Sequence, residues 1–290
     1  MTDSAPDKIF SFLEKELPKL HNKKISGLSS YSKATSGSGS IVEDWLLDQL
    51  KNTKNSPFRA LSTVEFLTEL FNCIQVKNKI GKEQLAEIQN TWWFSAFATV
   101  KTHMKSYANE KPLEASQQDG ADMVLFYGKN IVEDMNKLII INAKSHNKTK
   151  KSQAPNIVSV ERLVANQLAI IDNFPLDKEK QNKLFSYRKY WIIAIDYIPV
   201  SDSSSESLVS HIHLKDLYKT DGRKIYINFA AALQLQKHPH DMPQIKSQSS
   251  NKFINDLLAN LMINYSARIN KKLQEYKENY QKITGKKYSN

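Results

Sequence analysis

The sequence predicts an α/β domain that carries an N-terminal helical region, and three observations lead there. Forty per cent of the 290 residues are apolar, enough to bury a core and too many for a chain whose main state is disorder. Apolar residues recur at helical spacing through the first third, then give way from Ala121 to short β-branched runs. No internal repeat and no sharp break in composition divides the chain.

Each element follows from a local signal. Ile9, Phe10, Phe12, Leu13, Leu17 and Leu20 predict an amphipathic helix over 5–20, behind Asp3 or Ser4 as cap. The Gly/Ser stretch 26–40 reads as a loop, with Ser40 placed to cap a helix over 41–51. Ser56 and Pro57 form a cap and first turn that predict a third helix to about Val76. Gly81 separates it from a fourth running through Trp92, Trp93, Phe94 and Phe97. ADMVLFY (121–127) and KLIIINAK (137–144), joined by GKNIVEDMN, predict an antiparallel hairpin. Pro155 and Asn156 predict a helix start, to about Asp172, and YRKYWIIAIDYI (187–198) a strong strand. SDSSSES is a polar loop before the short strand LVSHIHL (208–214); RKIYIN (223–228) is a further strand leading into AAALQLQ. A long basic helix is expected from Asn251. The chain is thus expected to comprise a helical region over 1–110, an α/β core over 111–250 and a basic helix over 251–290, all one structural domain.

Forty-one Lys and Arg against thirty Asp and Glu give a formal charge of +11, a balance that favours an anionic partner such as nucleic acid over an acidic small substrate. The one cysteine, Cys73, makes no internal disulfide and no thiolate zinc site; a buried small residue in a reducing cytoplasm is the expectation. The N-terminus carries acids where a secretory signal needs Lys or Arg. The longest apolar runs, 138–141 and 191–195, fall far short of the ~20 residues of a membrane helix, so a soluble protein is expected.

Chemistry concentrates on the hairpin. Asp122 opens its first strand, Lys144 closes the second, and alternation points Asn142 and Lys144 to one face. An acid on one strand and an acid-x-Lys pattern on the next is how many metal-dependent nucleases build their site: hard oxygen ligands hold Mg²⁺, and the lysine places or deprotonates the attacking water. The following SHNKTKKSQAPNIVS brings Lys148, Lys150 and Lys151 without an acid, then Gln153, Ala154, Pro155 and Asn156. Cations, amide side chains and a helix start are what phosphate and base-edge recognition use.

On three blocks, QQDGADMVLF, SQAPNIVS with its helix to IIDN, and IYINFAAALQLQ (225–236), the chain resembles the HincII (HindII)-like type II restriction endonucleases of the PD-(D/E)XK nuclease superfamily. A looser match covers SGSGSIVEDWLLDQL, and the similarity spans roughly residues 33–240. The resemblance implies a central mixed β-sheet flanked by helices, with an N-terminal region serving dimerisation and DNA wrapping. It implies a bacterial, cytoplasmic homodimer that binds a short near-palindromic double-stranded DNA site and hydrolyses both strands with Mg²⁺ to leave blunt ends. A DNA methyltransferase belongs to the same system as a functional partner.

Residue by residue, the resemblance assigns the metal and catalytic roles to Asp122, Asn142 and Lys144. Gln153 matches a glutamine that wedges beside the bases, Ala154 lies in the same loop, and Asn156 and Asn228 match base-edge readers. Lys148, Lys150 and Lys151 fall to phosphates. The family pattern has an aspartate where this chain has Asn142, and an amide is a neutral, poorer Mg²⁺ ligand. The exchange implies a disarmed or weakened site, or a variant in which Glu43 or another acid compensates; Glu43 otherwise reads as a helix surface acid or a helper behind the metal ligands. The interstrand loop is also longer than in the family.

Other readings stand beside these. A catalytically silent, sequence-specific DNA-binding protein with a nuclease fold, or another PD-(D/E)XK DNA nuclease, fits the same pattern. Asn156 suits a helix cap as well as a base contact. His211 and His213 share a strand face and His238 and His240 flank Pro239, so a zinc site can be drawn, with structural or surface roles the simpler expectation. Trp92 and Trp93 read as core. Arg268, Lys271, Lys272, Lys277, Lys282, Lys286 and Lys287 suit either solvent or DNA phosphates.

Overall fold

The structure, a computed structural model, describes residues 4–28, 37–76, 79–94, 121–149, 154–201, 204–285 and 287. Helix α1 (Ala5–Glu16) starts at Ser4, whose side chain and Asp7 form a reciprocal capping box, and a 3₁₀ turn, Leu17–Leu20, extends it as the spacing predicts. Strand β1 (Lys24–Ser26) follows, then α2 (Gly37–Lys51).

The third predicted helix is in part a strand. β2 (Arg59–Ser62) precedes α3 (Thr63–Ile74). The helix start is set by Ser62 and Glu65, each accepting the other's backbone N–H at 3.1 and 2.8 Å, and not by Ser56 and Pro57. A short antiparallel pair, β3 (Gln75–Val76) and β4 (Lys79–Ile80), leads into α4 (Lys82–Gln89). That helix stops at Asn90, before the aromatic cluster; Phe97 lies outside the described residues. Trp92 and Trp93 are buried as expected, and their indole N–H groups donate to the carbonyls of Asn136 and Met135 at 2.9 and 2.7 Å. Cys73 is exposed, against expectation, because α3 turns Leu70, Phe71 and Ile74 inward instead.

The predicted hairpin forms as β5 (Met123–Phe126) and β6 (Leu138–Asn147), paired antiparallel from Met123↔Ile141 to Phe126↔Leu138. β6 runs three residues past Lys144, where the sequence reading ended it. Pro155 and Asn156 open a strand, β7 (Asn156–Ser159), and the cap of α5 (Val160–Asn173) is Ser159, which accepts from the Arg162 N–H. The helical periodicity of VERLVANQLAI was right; the start was placed too early, and Asn156 is no cap. Helix α6 (Lys178–Tyr187), capped by Asp177, was missed. β8 (Tyr190–Pro199), β9 (Glu206–Asp216), β10 (Tyr226–Asn228), β11 (Gln234–Gln236) and the long α7 (Ser250–Thr284) complete the chain.

Six strands form one sheet in the order β1-β9-β8-β6-β5-β2, and only β6 and β8 pair in parallel. The N-terminal region therefore supplies both edge strands as well as helices. Both faces of the centre are covered, which is why β6 and β8 read as near-continuous apolar runs. α1 and α2 cover one face, packing Leu13, Val42 and Leu46 on Leu125, Ile141 and Ile193. α3, α5, α6 and the start of α7 cover the other, with Phe66, Leu163, Leu184 and Phe253 against Val124, Ile140 and Ile192. β10, β11 and β7 make a separate three-stranded sheet. Among the described residues no helix is long and apolar enough to cross a membrane.

α7 is anchored by its first turns, where Phe253, Ile254 and Leu257 are buried; beyond Leu261 it is exposed except at the partly buried Glu275 and Lys277. Gly222 makes that seat possible: a Cβ there would lie 2.7 Å from the Phe253 carbonyl oxygen and 2.9 Å from the Leu257 nitrogen. Neither backbone atom can step aside, so Gly222→Ala is expected to destabilise the fold by about 1–3 kcal/mol. Urea unfolding should show a lower midpoint at unchanged slope; an unchanged midpoint would mean that the helix is not tightly seated there.

Candidate active site and nucleic-acid face

β6 changes character along its length. From Leu138 to Ala143 every residue is buried; from Lys144 onward the strand is half-exposed. Asn142 and Lys144 continue the face on which Leu138 and Ile140 lie, so the burial ends between them. Asn142 is 2% exposed and closes the core; Lys144 stands at its rim.

Asp122 sits at the same level, one residue ahead of β5. Its N–H donates to the Ile141 carbonyl at 3.0 Å, and its Oδ2 accepts from the Ala143 N–H at 2.6 Å. The carboxylate thus takes the place of the next ladder partner and is fixed against β6. Burial pushes the Asp122 carboxyl up, and the Lys144 charge and the Ala143 N–H oppose that shift.

Glu43 completes the group. α2 turns Val42, Leu46 and Leu50 onto the sheet, and Glu43, half-buried beside that stripe, feels both Asp122 and Lys144. Burial first, then the like charge of Asp122 with a smaller contribution from Asp44, raises its pKa to about 7 against the pull of Lys144. The sequence named Glu43 as an acid that could compensate for Asn142, beside a reading as a helix surface acid; that Glu43 is the acid of IVEDW reaching the hairpin depends on packing.

Two carboxylates that resist joint ionisation, held beside a lysine, suit a hard divalent cation, whose charge relieves their repulsion. An ion that keeps most of its water needs only one or two protein carboxylates. Among the described residues no group of three His, Cys, Asp or Glu is arranged to hold a metal. The drawn zinc site therefore has no preformed cage.

The second sheet gathers the amide residues. In the register of β10 with β11, Tyr226 faces Gln236 and Asn228 faces Gln234; β7 sets Asn156 opposite Gln236. Ile227 and Leu235 point into the core, so Asn156, Asn228, Gln234 and Gln236 share the outer face with Tyr226. Asn156 accepts from Gln236 Nε2 at 2.7 Å, and Asn228 accepts from the Ala230 N–H at 3.0 Å. Gln234 and Gln236 were missed as surface donors, although the alternation QLQ is a strand signal that could have found them. Ala154 is half-buried just before β7, while Lys150, Lys151 and Gln153 lie outside the described residues. Lys148 is exposed, 3.5 Å from Asp196. On α7, the Arg268 guanidinium lies 4.4 Å from the ring centroid of Phe229, next to Asn228, Lys271, Lys272 and Lys282 are exposed, and Lys277 is partly buried.

Comparison with known proteins adds the ancestry. Over 185 residues the chain is 30% identical to the type II restriction enzyme HincII of Haemophilus influenzae, a match covering 62% of each protein. Over 146 residues it is 31% identical to the type II restriction enzyme HindII of Haemophilus influenzae strain Rd, covering 50% of this chain and 48% of that one. The matched stretches thus span less than two thirds of these relatives. A solved structure, the NlaIV restriction endonuclease, aligns over 79% of this chain and 92% of its own at 15% identity, with a TM-score of 0.31. The family model of the restriction endonuclease HincII matches residues 18–284, from the 3₁₀ turn after α1 to the end of α7, and the chain belongs to that family.

Proposed function

We propose that this protein is a type II restriction endonuclease that binds a short, near-palindromic double-stranded DNA site as a homodimer and hydrolyses both strands with Mg²⁺ to leave blunt ends. The observation that carries the reading is the meeting of Glu43, Asp122 and Lys144 at the point where β6 leaves the core. Family membership supports it, as does the +11 charge, which suits a phosphate backbone. A methyltransferase of matching specificity is the expected functional partner.

Asp122 and Glu43 would hold the ion, with Asn142 behind them as a neutral amide where the family pattern has an acid. Mg²⁺, when bound, supplies Lewis-acid stabilisation of the charge that develops on the scissile phosphate. The Ala143 N–H keeps the Asp122 carboxylate from turning away. Lys144, anchored on a strand, stands where its ammonium meets a phosphate oxygen and orients the attacking water. Base edges are read by Asn156 and Asn228, each offering one donor and one acceptor, with Gln153 wedging a base step from the same loop as Ala154. Lys148, Lys150 and Lys151 hold phosphates, and Glu43 acts as the compensating carboxylate for Asn142.

Supercoiled plasmid incubated with Mg²⁺ tests the reading: discrete fragments are expected, whereas retention without cutting would favour a silent DNA-binding protein and structure-dependent nicking another nuclease. Lys144→Ala and Asp122→Ala should abolish cutting yet keep duplex binding in Ca²⁺. Asn142→Asp should raise the cleavage rate at least ~10-fold, since Glu43 compensates only in part and a further charged ligand stabilises the metal-assisted transition state; an unchanged rate would mean that Asn142 lies outside the metal site.

Glu43 gives a pH test. Its raised pKa, about 7, means that it must lose a proton to take a cation. Affinity for Mg²⁺ should therefore climb as pH rises through about 7 and level off above. Calorimetry in two buffers of different ionisation enthalpy should show a proton released on binding near neutral pH. Glu43→Gln should bind more weakly and release less; equal release from both proteins would remove Glu43 from the metal site.

A further inference from the structure

Past Lys144 the same strand face carries a second cluster that the catalytic reading leaves unused. His146 is two residues beyond Lys144 on β6 and lies opposite Asp196 of β8. Asp196 in turn lies opposite His211 of β9, with His213 two residues on. The Asp196 side chain, 4% exposed, meets His146 Nδ1 through Oδ1 and His213 Nε2 through Oδ2, each at 3.2 Å, with Lys148 Nζ 3.5 Å away. The turn after β11 brings two more imidazoles over it. Ring centroids lie 5.9 Å apart for His146 and His238, 5.1 Å for His238 and His240, and 5.8 Å for His240 and His213. The side chains of Asp196, His146, His238, His240 and His213 therefore close a ring, with the His211 ring outside it, tilted against His213 at 4.4 Å.

We propose that this imidazole ring around Asp196 is a proton-linked contact for the DNA phosphate next to the one engaged at Lys144. The inference rests on the nuclease reading above. Placement supports it: a two-residue step along a strand is ~6.6 Å, about the separation of neighbouring phosphates on one DNA strand, so Lys144 and His146 can meet consecutive phosphates. The ring is accessible at its edge, with His146 23% and His240 43% exposed.

Charge supports it as well. The groups facing the ring are Lys148 from β6, His211 from β9, Asp241 beside His240 at 3.4 Å, and His21, which acts on His211. Only Asp196 is an acid inside. Burial alone pushes its carboxyl up, but the hydrogen bonds from His213 and His146, and the charges of His213 and Lys148, bring it down to about 2, so it stays ionised and already has Lys148 as its counter-charge. Burial and mutual repulsion lower His211 and His238. His211 and His238 therefore hold fewer protons near neutrality than isolated histidines, and an anion brought against the cluster reverses that balance. A transition metal is the other chemistry that histidines invite, but Lys148 beside the carboxylate repels a cation, and no three donors among the described residues are arranged to hold a metal ion.

Because a phosphate contact is blind to sequence, the probe is a short random duplex carrying a fluorophore, followed by anisotropy at fixed salt without divalent metal. The Glu43→Gln background removes the carboxylate that also titrates near neutrality. Affinity should rise at least ~10-fold from about pH 8 to about pH 6, one decade per pH unit for each proton taken up over the titrating range. His238→Gln/His240→Gln should flatten this to under ~2-fold with little change at high pH, whereas Lys148→Gln should weaken binding at every pH and leave the slope in place. Imidazole NMR on the unsubstituted ring should show His238 and His240 titrating at higher pH with duplex than without, a readout that does not depend on the double variant folding. Tight binding with the same pH slope in parent and double variant overturns the inference and spares the nuclease reading. Imidazole signals that respond to micromolar Zn²⁺ but not to duplex overturn it in favour of a metal site. No duplex binding at any pH overturns both readings.

Discussion

Strand β6 is fixed on both edges, antiparallel to β5 and parallel to β8, and the rest of the arrangement depends on that. Five ladder partners of β8 lie below or at Lys144, three above it, so the strand cannot shift register without carrying Ile139 and Ile141 out of one core and Leu138 and Ile140 out of the other. The cost of such a slip locks Asn142, Lys144 and His146 on one face at fixed spacing. Asp122 adds a further tie: by accepting the Ala143 N–H it extends the β5–β6 ladder with a side chain. A carboxylate held this way is rigid before any ligand arrives, which is what a site acting by electrostatic preorganisation needs.

The same face then divides by chemistry. Around Lys144 the crowded groups are acids, and their raised pKa values mark a place where added positive charge is welcome. Around Asp196 the crowded groups are bases, and the depressed pKa values of His211 and His238 mark a place where added negative charge is welcome. One strand thus carries a cation-seeking patch and an anion-seeking patch two residues apart. A separate three-stranded sheet presents Asn156, Asn228, Gln234 and Gln236, side chains whose donors and acceptors do not change with pH. Charged groups and hydrogen-bonding groups that do not titrate are therefore gathered on different sheets.

Where the sequence misled, the reason is local chemistry overridden by pairing. Ser56-Pro57 and Pro155-Asn156 both have the composition of a helix start, yet each opens a strand: Arg59–Ser62 pairs with β5, and Asn156–Ser159 with β11. The true caps, Ser62 and Ser159, lie a few residues on, and in the first case the Ser-x-x-Glu spacing was present to be read. Helix α6 escaped because LDKEKQNKLFSY is mostly polar; it buries little beyond Gln181, Leu184 and Phe185.

The sequence by itself determined the hairpin, the strand faces that follow from a period of two, the long terminal helix and the placing of Asp122 and Lys144, because these depend on neighbours a few residues apart. The motif blocks carried the family, since they are local as well. Only the tertiary structure decided that Glu43 joins Asp122, that Asp196 is the carboxylate shared by His146 and His213, and that Gln234 and Gln236 stand beside Asn156 and Asn228. Each of those meetings joins residues tens of positions or more apart in the chain, or depends on which turn of a helix rests on a sheet. Such contacts are selected by the packing of two cores against one sheet, and that packing has no counterpart in any short stretch of sequence.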